Sequence, residues 1–449
     1  MKNTGGQSRS LRILIVTHAF PPMNSIASHR PYSWARFWRD EGHEVHVLTP
    51  SKHPFDGTMD LERDMHGIHV HEVGYLPLRA SRPRTDPVLC SEVGRWEWLK
   101  TITRRARFSL AMFGDPRLFA YLPMVRAGMK MMKQARMDFI IATSPPEVVF
   151  FVARTLSLRS GVPWIADFRD LWFRDMRLYQ SRFASWLSGP VNWWLVKNAT
   201  ALITVSQGLR DRLSSYLGRE VAVSYNGFFK CDQDRGVVVR SRTDMHLHIV
   251  YTGRLYPGKR DPEPLFRAIK ALKTRRADLV SRLVVDFYGF DDPWLRQLIA
   301  THGLESTVML HGFVPYSQSM AAQQSADVLL FLDWTETQAD GVLTGKLFEY
   351  LGAGKPILSL GRRKDSEAAH LIADSACGVT LTTDDEILDY LLNLAIARSR
   401  YADSDKRNVF SREWQARLLL QTIRTQILGQ AGLNHSESEL TISQCYSKE

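Results

Sequence analysis

The chain has 449 residues, 44% hydrophobic and 23% charged, ordinary values for two or three globular domains that exclude a collagen, a low-complexity protein and a wholly disordered chain. Its four cysteines (Cys90, Cys231, Cys377 and Cys445) form no CxxC pair and no zinc spacing, which argues against a disulfide scaffold and for a reducing compartment. The net charge of +11 is uneven: 32 Lys and Arg against 19 Asp and Glu give residues 1–230 a charge of +13, while 26 against 28 leave residues 231–449 at −2. The first half is therefore the one expected to face an anionic partner.

Residues 1–10 (MKNTGGQSRS) are polar and expected to be disordered. The apolar run after them is too short for a signal peptide and lacks a small-residue cleavage site, and no run approaches the roughly 20 residues of a membrane span. From there the chain alternates short Val- and Ile-rich runs with stretches long enough for a helix. The runs are RILIVT (12–17), EVHVLT (44–49), GIHVHEV (67–73), DFIIATS (138–144), WIADFR (164–169), ALITVS (201–206) and VAVSYN (221–226). After a polar break at 230–246 come LHIVYTG (247–253), RLVVDFYG (282–289), VMLHGF (308–313), DVLLFL (327–332), PILSLG (356–361) and GVTLT (378–382). Strand–helix alternation favours parallel sheets covered on both faces. Its repetition across the break predicts an α/β protein of two doubly wound, Rossmann-like domains, residues 11–232 and 245–410, facing a central cleft. Ligands of such folds bind at the carboxyl ends of the strands. The stretch 411–430 shows a helical period at Trp414, Leu418, Leu419, Ile423 and Ile427 and is expected to pack back on the first domain, with 431–449 a polar tail.

Three first-half loops carry polar candidates. THAFPPMNSIASHR (17–30) offers Ser28, His29 and Arg30 to a substrate, or a helix cap with an exposed histidine. ATSPPE (142–147) makes a cleft-edge turn at Ser144. GVPWIADFRDLW (161–172) sets Asp167, Arg169 and Asp170 at a strand end, where a carboxylate could take a hydroxyl proton and the arginine bind phosphate, or where the group could be a structural ion pair. In segments 95–137 and 171–197, basic residues alternate with Trp, Phe, Leu and Met. Arg104, Arg105, Arg107, Arg126, Lys130, Lys133 and Arg136 suit an anionic membrane surface if the aromatics are not simply core. No RNA-binding motif, zinc finger or helix-turn-helix is present, so nucleic acid is not expected as the anionic partner. There is no HExxH, no acidic pair sits in a metal constellation, and His69 and His71 on one strand face read as a solvated pair, so no metal or cofactor is expected.

In the second half, VYTGRLYPGKRD (250–261) puts Arg254 at a strand tip and Lys259 five residues on, cations that suit a diphosphate, or that are simply solvated on a turn. GVLTGKLFEYLGAGKPIL (341–358) opens a helix at Thr344-Gly345-Lys346, whose free N–H groups would bind phosphate, and sets Glu349 one turn inside, placed to accept hydrogen bonds from ribose or else a surface residue of the helix.

These two segments, their order and their spacing of roughly 90 residues resemble the retaining glycosyltransferases of family 4, which have the GT-B fold. HGFVPYSQSMAAQQSADVLLFL (311–332), ILIVTHAFPP, GVPWIADFRDLW and ITVSQGLRDRL extend the resemblance over about residues 11–430. It implies that Arg254 and Lys259 bind the donor diphosphate and stabilise the leaving group. Thr344, Gly345 and Lys346 would cradle phosphate through backbone N–H groups, Glu349 would hold the ribose, and Val314 and Pro315 would meet the base. The donor would be a nucleotide-diphosphate sugar, UDP-linked by expectation, and the acceptor a glycan or lipid-linked sugar of surface polysaccharide assembly. Such an enzyme would work in the cytoplasm, peripheral to the inner face of the plasma membrane. The sequence departs from the family at two places. Gly341 stands where a first glutamate is usual, and could offer its N–H to the sugar or leave room for a substituent. Ser144 stands where many members have a histidine. A non-catalytic partner subunit or a nucleotide-sugar epimerase are the alternative readings.

Overall fold

The computed structural model describes residues 9–75, 116–170, 193–230, 246–289, 292–334, 341–361, 363–394 and 405–426. Every run picked out above contains a strand. In the first domain these are β1 (Arg12–Thr17), β2 (Glu44–Pro50), β3 (Ile68–Val73), β4 (Phe139–Ser144), β5 (Trp164–Phe168), β6 (Ala201–Thr204) and the two-residue β7 (Ala222–Val223). They form a seven-stranded parallel sheet in the order β3-β2-β1-β4-β5-β6-β7. The second domain has β8 (Leu247–Thr252), β9 (Leu283–Tyr288), β10 (Val308–Gly312), β11 (Val328–Leu332), β12 (Ile357–Leu360) and β13 (Gly378–Leu381) in a six-stranded parallel sheet ordered β10-β9-β8-β11-β12-β13. Strand order reverses between β1 and β4 and between β8 and β11, and the crevices at those points are where such sheets take ligands.

The helices follow from the apolar spacing between strands. In the first domain α1 (Ile26–Asp40) covers one face of the sheet, and α2 (Tyr121–Gln134), α3 (Val148–Ser160) and α4 (Gln207–Leu217) cover the other. Gly128 lets α2 approach closely, since a Cβ there would stand 2.7 Å from a Leu156 methyl of α3. In the second domain run α5 (Glu263–Arg275), α6 (Pro293–His302), α7 (Tyr316–Ser325), α8 (Gly345–Ala353), α9 (Glu367–Asp374) and α10 (Asp384–Leu392).

The last helix, α11 (Arg412–Gln426), lies on α1 of the first domain. The indole N–H of Trp38 donates to the Ala416 carbonyl at 2.9 Å. Its buried stripe is Gln415, Ala416, Leu419, Leu420 and Ile423, rotated from the sequence expectation: Trp414 is 42% exposed and Leu418 half-buried. The reason is local. Arg412 N–H donates to the Phe228 carbonyl at 2.8 Å and Phe228 N–H to Phe410 at 3.2 Å, so backbone pairing before the first turn sets the helix rotation. Tyr225, Phe228 and Phe410 share one buried cluster with Phe348 and Tyr350 of α8, which ties the crossing segments to the second domain.

Candidate active site

The second-domain side is built at the tips of β8 and β11. Gly253 leaves β8 at φ +145°, a conformation a side chain resists. The chain then turns tightly, with Arg260 N–H donating to the Tyr256 carbonyl at 2.8 Å. Arg254 and Lys259 are exposed on this turn, the Arg254 guanidinium 5.4 Å from the Tyr256 ring. Helix α8 arrives beside it. Leu347, Phe348, Tyr350 and Leu351 bury its inner face, and Gly354 ends it at φ +67°. The Tyr350 hydroxyl accepts Thr252 N–H at 2.8 Å, which fixes the helix to the β8 tip. Burial raises the pKa of this phenol, so it stays neutral.

The start of α8 is therefore held in register with the Arg254–Lys259 turn. Gly345 opens the helix behind Thr344, whose buried hydroxyl has no hydrogen-bond partner. The Lys346 ammonium lies 2.7 Å from Glu349 Oε2, and the same oxygen accepts from Gln323 Nε2 at 3.1 Å. Gln323 also donates to Thr252 Oγ1 at 3.0 Å. It is a buried second-domain residue that sequence reasoning missed, because a glutamine inside α7 gives no local signal. Pro315 caps α7, Val314 is half-buried before it, and Phe313 beside them is exposed. Glu349 and Gly345 line a small cavity between the domains with Met320 and Tyr316 of α7 and with Ile26, His29, Phe229 and Arg412 from the first-domain side.

The first-domain candidates fall out differently from the sequence expectation. Asp167 does not face the cleft. It is 0% exposed, with Oδ1 receiving Arg30 Nη2 at 2.8 Å and Oδ2 receiving Arg30 Nε at 3.0 Å and Thr143 Oγ1 at 2.6 Å. Arg30 is likewise buried; its Nη1 donates to the Ser224 and Tyr225 carbonyls and its plane lies over Trp34 at 4.8 Å. The pair fastens α1 to the sheet, which is the structural alternative left open above, with Arg30 in place of Arg169. Arg169 spends its donors on carbonyls of Ser144, Pro145 and Ala27, joining the cleft-edge turn to the first turn of α1. Burial lowers its pKa, opposed by Asp167 and Asp170. Ser28 and Ser144 are fully buried. Of the strand-end set, Asp170 is the carboxylate that is exposed. His29 reaches the cavity, and burial, with Arg412 and Arg63 nearby, pushes its pKa down to about 3, so the ring is neutral.

A second polar cluster at the ends of β1 and β2 had no sequence signature. His18 Nε2 lies 2.8 Å from Asp56 Oδ1, which also receives Arg117 Nε at 3.2 Å. Against an opposing desolvation, the His18 hydrogen bond holds Asp56 at about 2. Burial brings Lys52 down to about 8 while its ammonium donates to Thr49 Oγ1 at 2.6 Å and the Pro50 carbonyl at 2.7 Å. Three elements far apart in sequence meet here.

The domains touch at the start of α4. Ser206 Oγ donates to the Gly341 carbonyl, and Gln207 and Gly208 N–H groups donate to the two Glu367 oxygens at 2.6 and 3.0 Å. Gly341 has φ +85°, and a Cβ on it would lie 2.6 Å from Gly208 Cα. The room that glycine was expected to leave for substrate is taken by the first domain's backbone. A glutamate does not fit in this arrangement.

On α2 the outer face carries Leu122, Arg126, Lys130 and Lys133, all exposed, with Phe119 just before it; Arg136 is exposed after it. Its inner residues Met124, Val125 and Met131 belong to the domain core. Arg104, Arg105 and Arg107 lie outside the described residues, as does 171–192. Trp193 and Trp194 are exposed, with Lys197 5.5 Å above the first ring and Arg154 3.9 Å above the second. Among the described residues no helix is long and apolar enough to cross a membrane, and no group of three or more His, Cys, Asp or Glu is arranged to hold a metal ion. His46, His69 and His71 stack at the sheet edge, His46 Nδ1 lying 3.2 Å from His71 Nε2. Cys377 is a buried thiol.

Residues 27–227 match the family model described as a glycosyl transferase 4-like domain. No curated protein sequence matches the chain. Among solved structures, Anabaena HepE in complex with UDP is 16% identical with a TM-score of 0.60, covering 92% of this chain and 100% of its own. Sucrose-phosphate synthase from Thermosynechococcus elongatus is 13% identical with a TM-score of 0.59, over 94% of this chain and 100% of its own. The lipopolysaccharide outer core galactosyltransferase WaaB in its apo form is 13% identical with a TM-score of 0.52, over 93% and 100%.

Proposed function

We propose that this chain, a GT-B protein whose first half is a glycosyl transferase 4-like domain, is a retaining glycosyltransferase. It takes a sugar from a nucleotide-diphosphate donor, UDP-linked, and delivers it to a lipid-linked saccharide in surface polysaccharide assembly. The observation that carries this reading is the α8 start held at the β8 tip by the Tyr350–Thr252 bond, with Lys346 beside Gly253 and paired to Glu349, and with Arg254 and Lys259 exposed on the turn that leaves β8. Arg254 and Lys259 neutralise charge that builds on the departing diphosphate. The first N–H groups of α8 bind phosphate oxygens. Glu349, oriented by Lys346 and Gln323, accepts from the ribose hydroxyls. Val314 and Pro315 present backbone to the base. Asp170, exposed at the β5 end, receives the acceptor's hydroxyl proton. The acceptor attacks the face the diphosphate leaves, with no covalent enzyme intermediate and no metal. Closure across the Gly208–Gly341 contact limits water.

The solved structure of HepE with UDP supports the choice of base, and WaaB, a lipopolysaccharide galactosyltransferase, supports the pathway. The exposed cations of α2, with exposed Phe119 and Leu122 beside them and exposed Trp193 and Trp194 on the same domain, suit the inner face of an anionic plasma membrane. Thermal shift and calorimetry with UDP, GDP and ADP test the donor site. UDP is expected to bind selectively, and Glu349→Ala to weaken it about tenfold through lost ribose hydrogen bonds. No binding of any nucleotide at millimolar concentration would move the chain to the non-catalytic reading.

A further inference from the structure

One cation of the donor loop is not absorbed by the diphosphate. Arg260 follows Lys259, but its side chain turns back under the loop, where its guanidinium lies 4.3 Å from the centre of the Trp334 ring. Trp334 stands two residues past the end of β11, next to β8 in the sheet, so the pair sits in the crevice where strand order reverses. Among the described residues, Arg260 Nε and Nη2 are buried without hydrogen-bond partners, and so is the indole Nε1 of Trp334. Buried donors left unmet are costly, and more so on a charged group. Burial lowers the Arg260 pKa, while Tyr251, Asp333, Tyr256 and Tyr350 pull it the other way. Of these, Asp333 is the carboxylate, and it is engaged elsewhere: Oδ1 accepts the backbone N–H of Trp334 at 2.8 Å and Oδ2 accepts Ser366 Oγ at 2.8 Å.

Three unmet donors, two on a permanent cation and one on an indole, make a site for a small planar anion. The loop already offers Arg254, Lys259 and the α8 amides to the two phosphates, whose charge they match. We propose that Arg260 and Trp334 form a second anion site in the donor crevice and that the transferred sugar carries a carboxylate that fills it, so that the donor is a nucleotide uronate. The fork of Arg260 receives the carboxylate side-on, and the Trp334 N–H adds one donor. The proposal rests on the donor-site reading above.

Calorimetry tests it with matched pairs: UDP-glucose against UDP-glucuronate, and GDP-mannose against GDP-mannuronate, with UDP and GDP alone as references. The expected result is at least tenfold tighter binding of the uronate in one pair. Arg260→Met, which keeps the stem over Trp334, should bring that ratio close to one, and Arg260→Lys should retain part of it; Trp334→Phe should reduce it by removing the N–H alone. Circular dichroism and melting establish that each variant is folded. Equal affinity for both sugars in the wild-type chain overturns the proposal. So does an equal loss of UDP, UDP-glucose and UDP-glucuronate in Arg260→Met, which makes Arg260 a third diphosphate ligand. Failure of UDP and GDP themselves to bind overturns the donor-site reading, and is told apart by that reference measurement.

Discussion

Arg30 and Asp167 stand 137 residues apart, and their pairing shows how burial changes a residue's work. A carboxylate at a strand end reads in sequence as a candidate base. Here both its oxygens are taken by a guanidinium and a threonine hydroxyl in a site closed to water. Removing one partner of a buried, hydrogen-bonded ion pair leaves the other charge without compensation, at about 3–5 kcal/mol. Asp167→Ala is therefore expected to lower the melting temperature sharply, whereas Asp170→Asn, at an exposed position three residues on, should leave melting unchanged. If Asp170 is the proton acceptor, its variant loses on the order of 100-fold in turnover. A melting temperature unmoved by Asp167→Ala would contradict the structural role, and normal turnover of Asp170→Asn would remove the base assignment.

At the scale of elements, short pieces of backbone are held where two other elements meet. Helix α8 is placed by its own apolar stripe and by the Thr252–Tyr350 bond to β8. Its approach segment is placed by α4, whose first turn comes so close that only glycine fits at 341. Gly341→Ala would put a Cβ against backbone and force a side chain into φ +85°, for a cost of about 1–3 kcal/mol. The expected outcome is a lower melting temperature and a larger radius of gyration by small-angle scattering. No change in either would mean that this contact is not part of the solution structure. The departure from the glutamate usual in resembling enzymes thus has a steric reason, visible only when α4 is in place. The rotated face of α11 is similar, because a pairing of Phe228 with the chain at 410–412 fixes it.

For the whole molecule, the question is what sets the angle between the two sheets. Beside the apolar cluster of Tyr225, Phe228 and Phe410 with α8, the described polar contacts are Ser206 to Gly341, and Glu367 across Gln207 and Gly208. The Glu367 carboxylate caps the N-terminus of a helix from the other domain, a charge-assisted arrangement worth about 1–2 kcal/mol. Burial raises its pKa, against the two backbone donors. A latch of that size is strong enough to bias closure and weak enough to release product. Glu367→Ala should shift the population toward an open form, seen as an increased radius of gyration, and should raise KM for the acceptor more than it affects nucleotide affinity. An unchanged scattering profile would assign the domain angle to the Tyr225–Phe228 and Phe410 cluster alone.

The sequence by itself determined the strands, because Val- and Ile-rich runs bounded by turns admit one reading when both sheet faces are covered. It determined the two parallel sheets, because strands and helices alternate on both sides of the polar break at 230–246. The tertiary structure alone decided which side chains meet. Arg30 with Asp167, Glu367 with the α4 amides, Gln323 with Glu349, the His18–Asp56–Arg117 cluster and Arg260 against Trp334 join residues separated by tens to hundreds of positions. Local periodicity reports which face of an element is apolar, but not which polar partner waits there. Only packing puts a charge beside its counter-charge or leaves a buried donor without one.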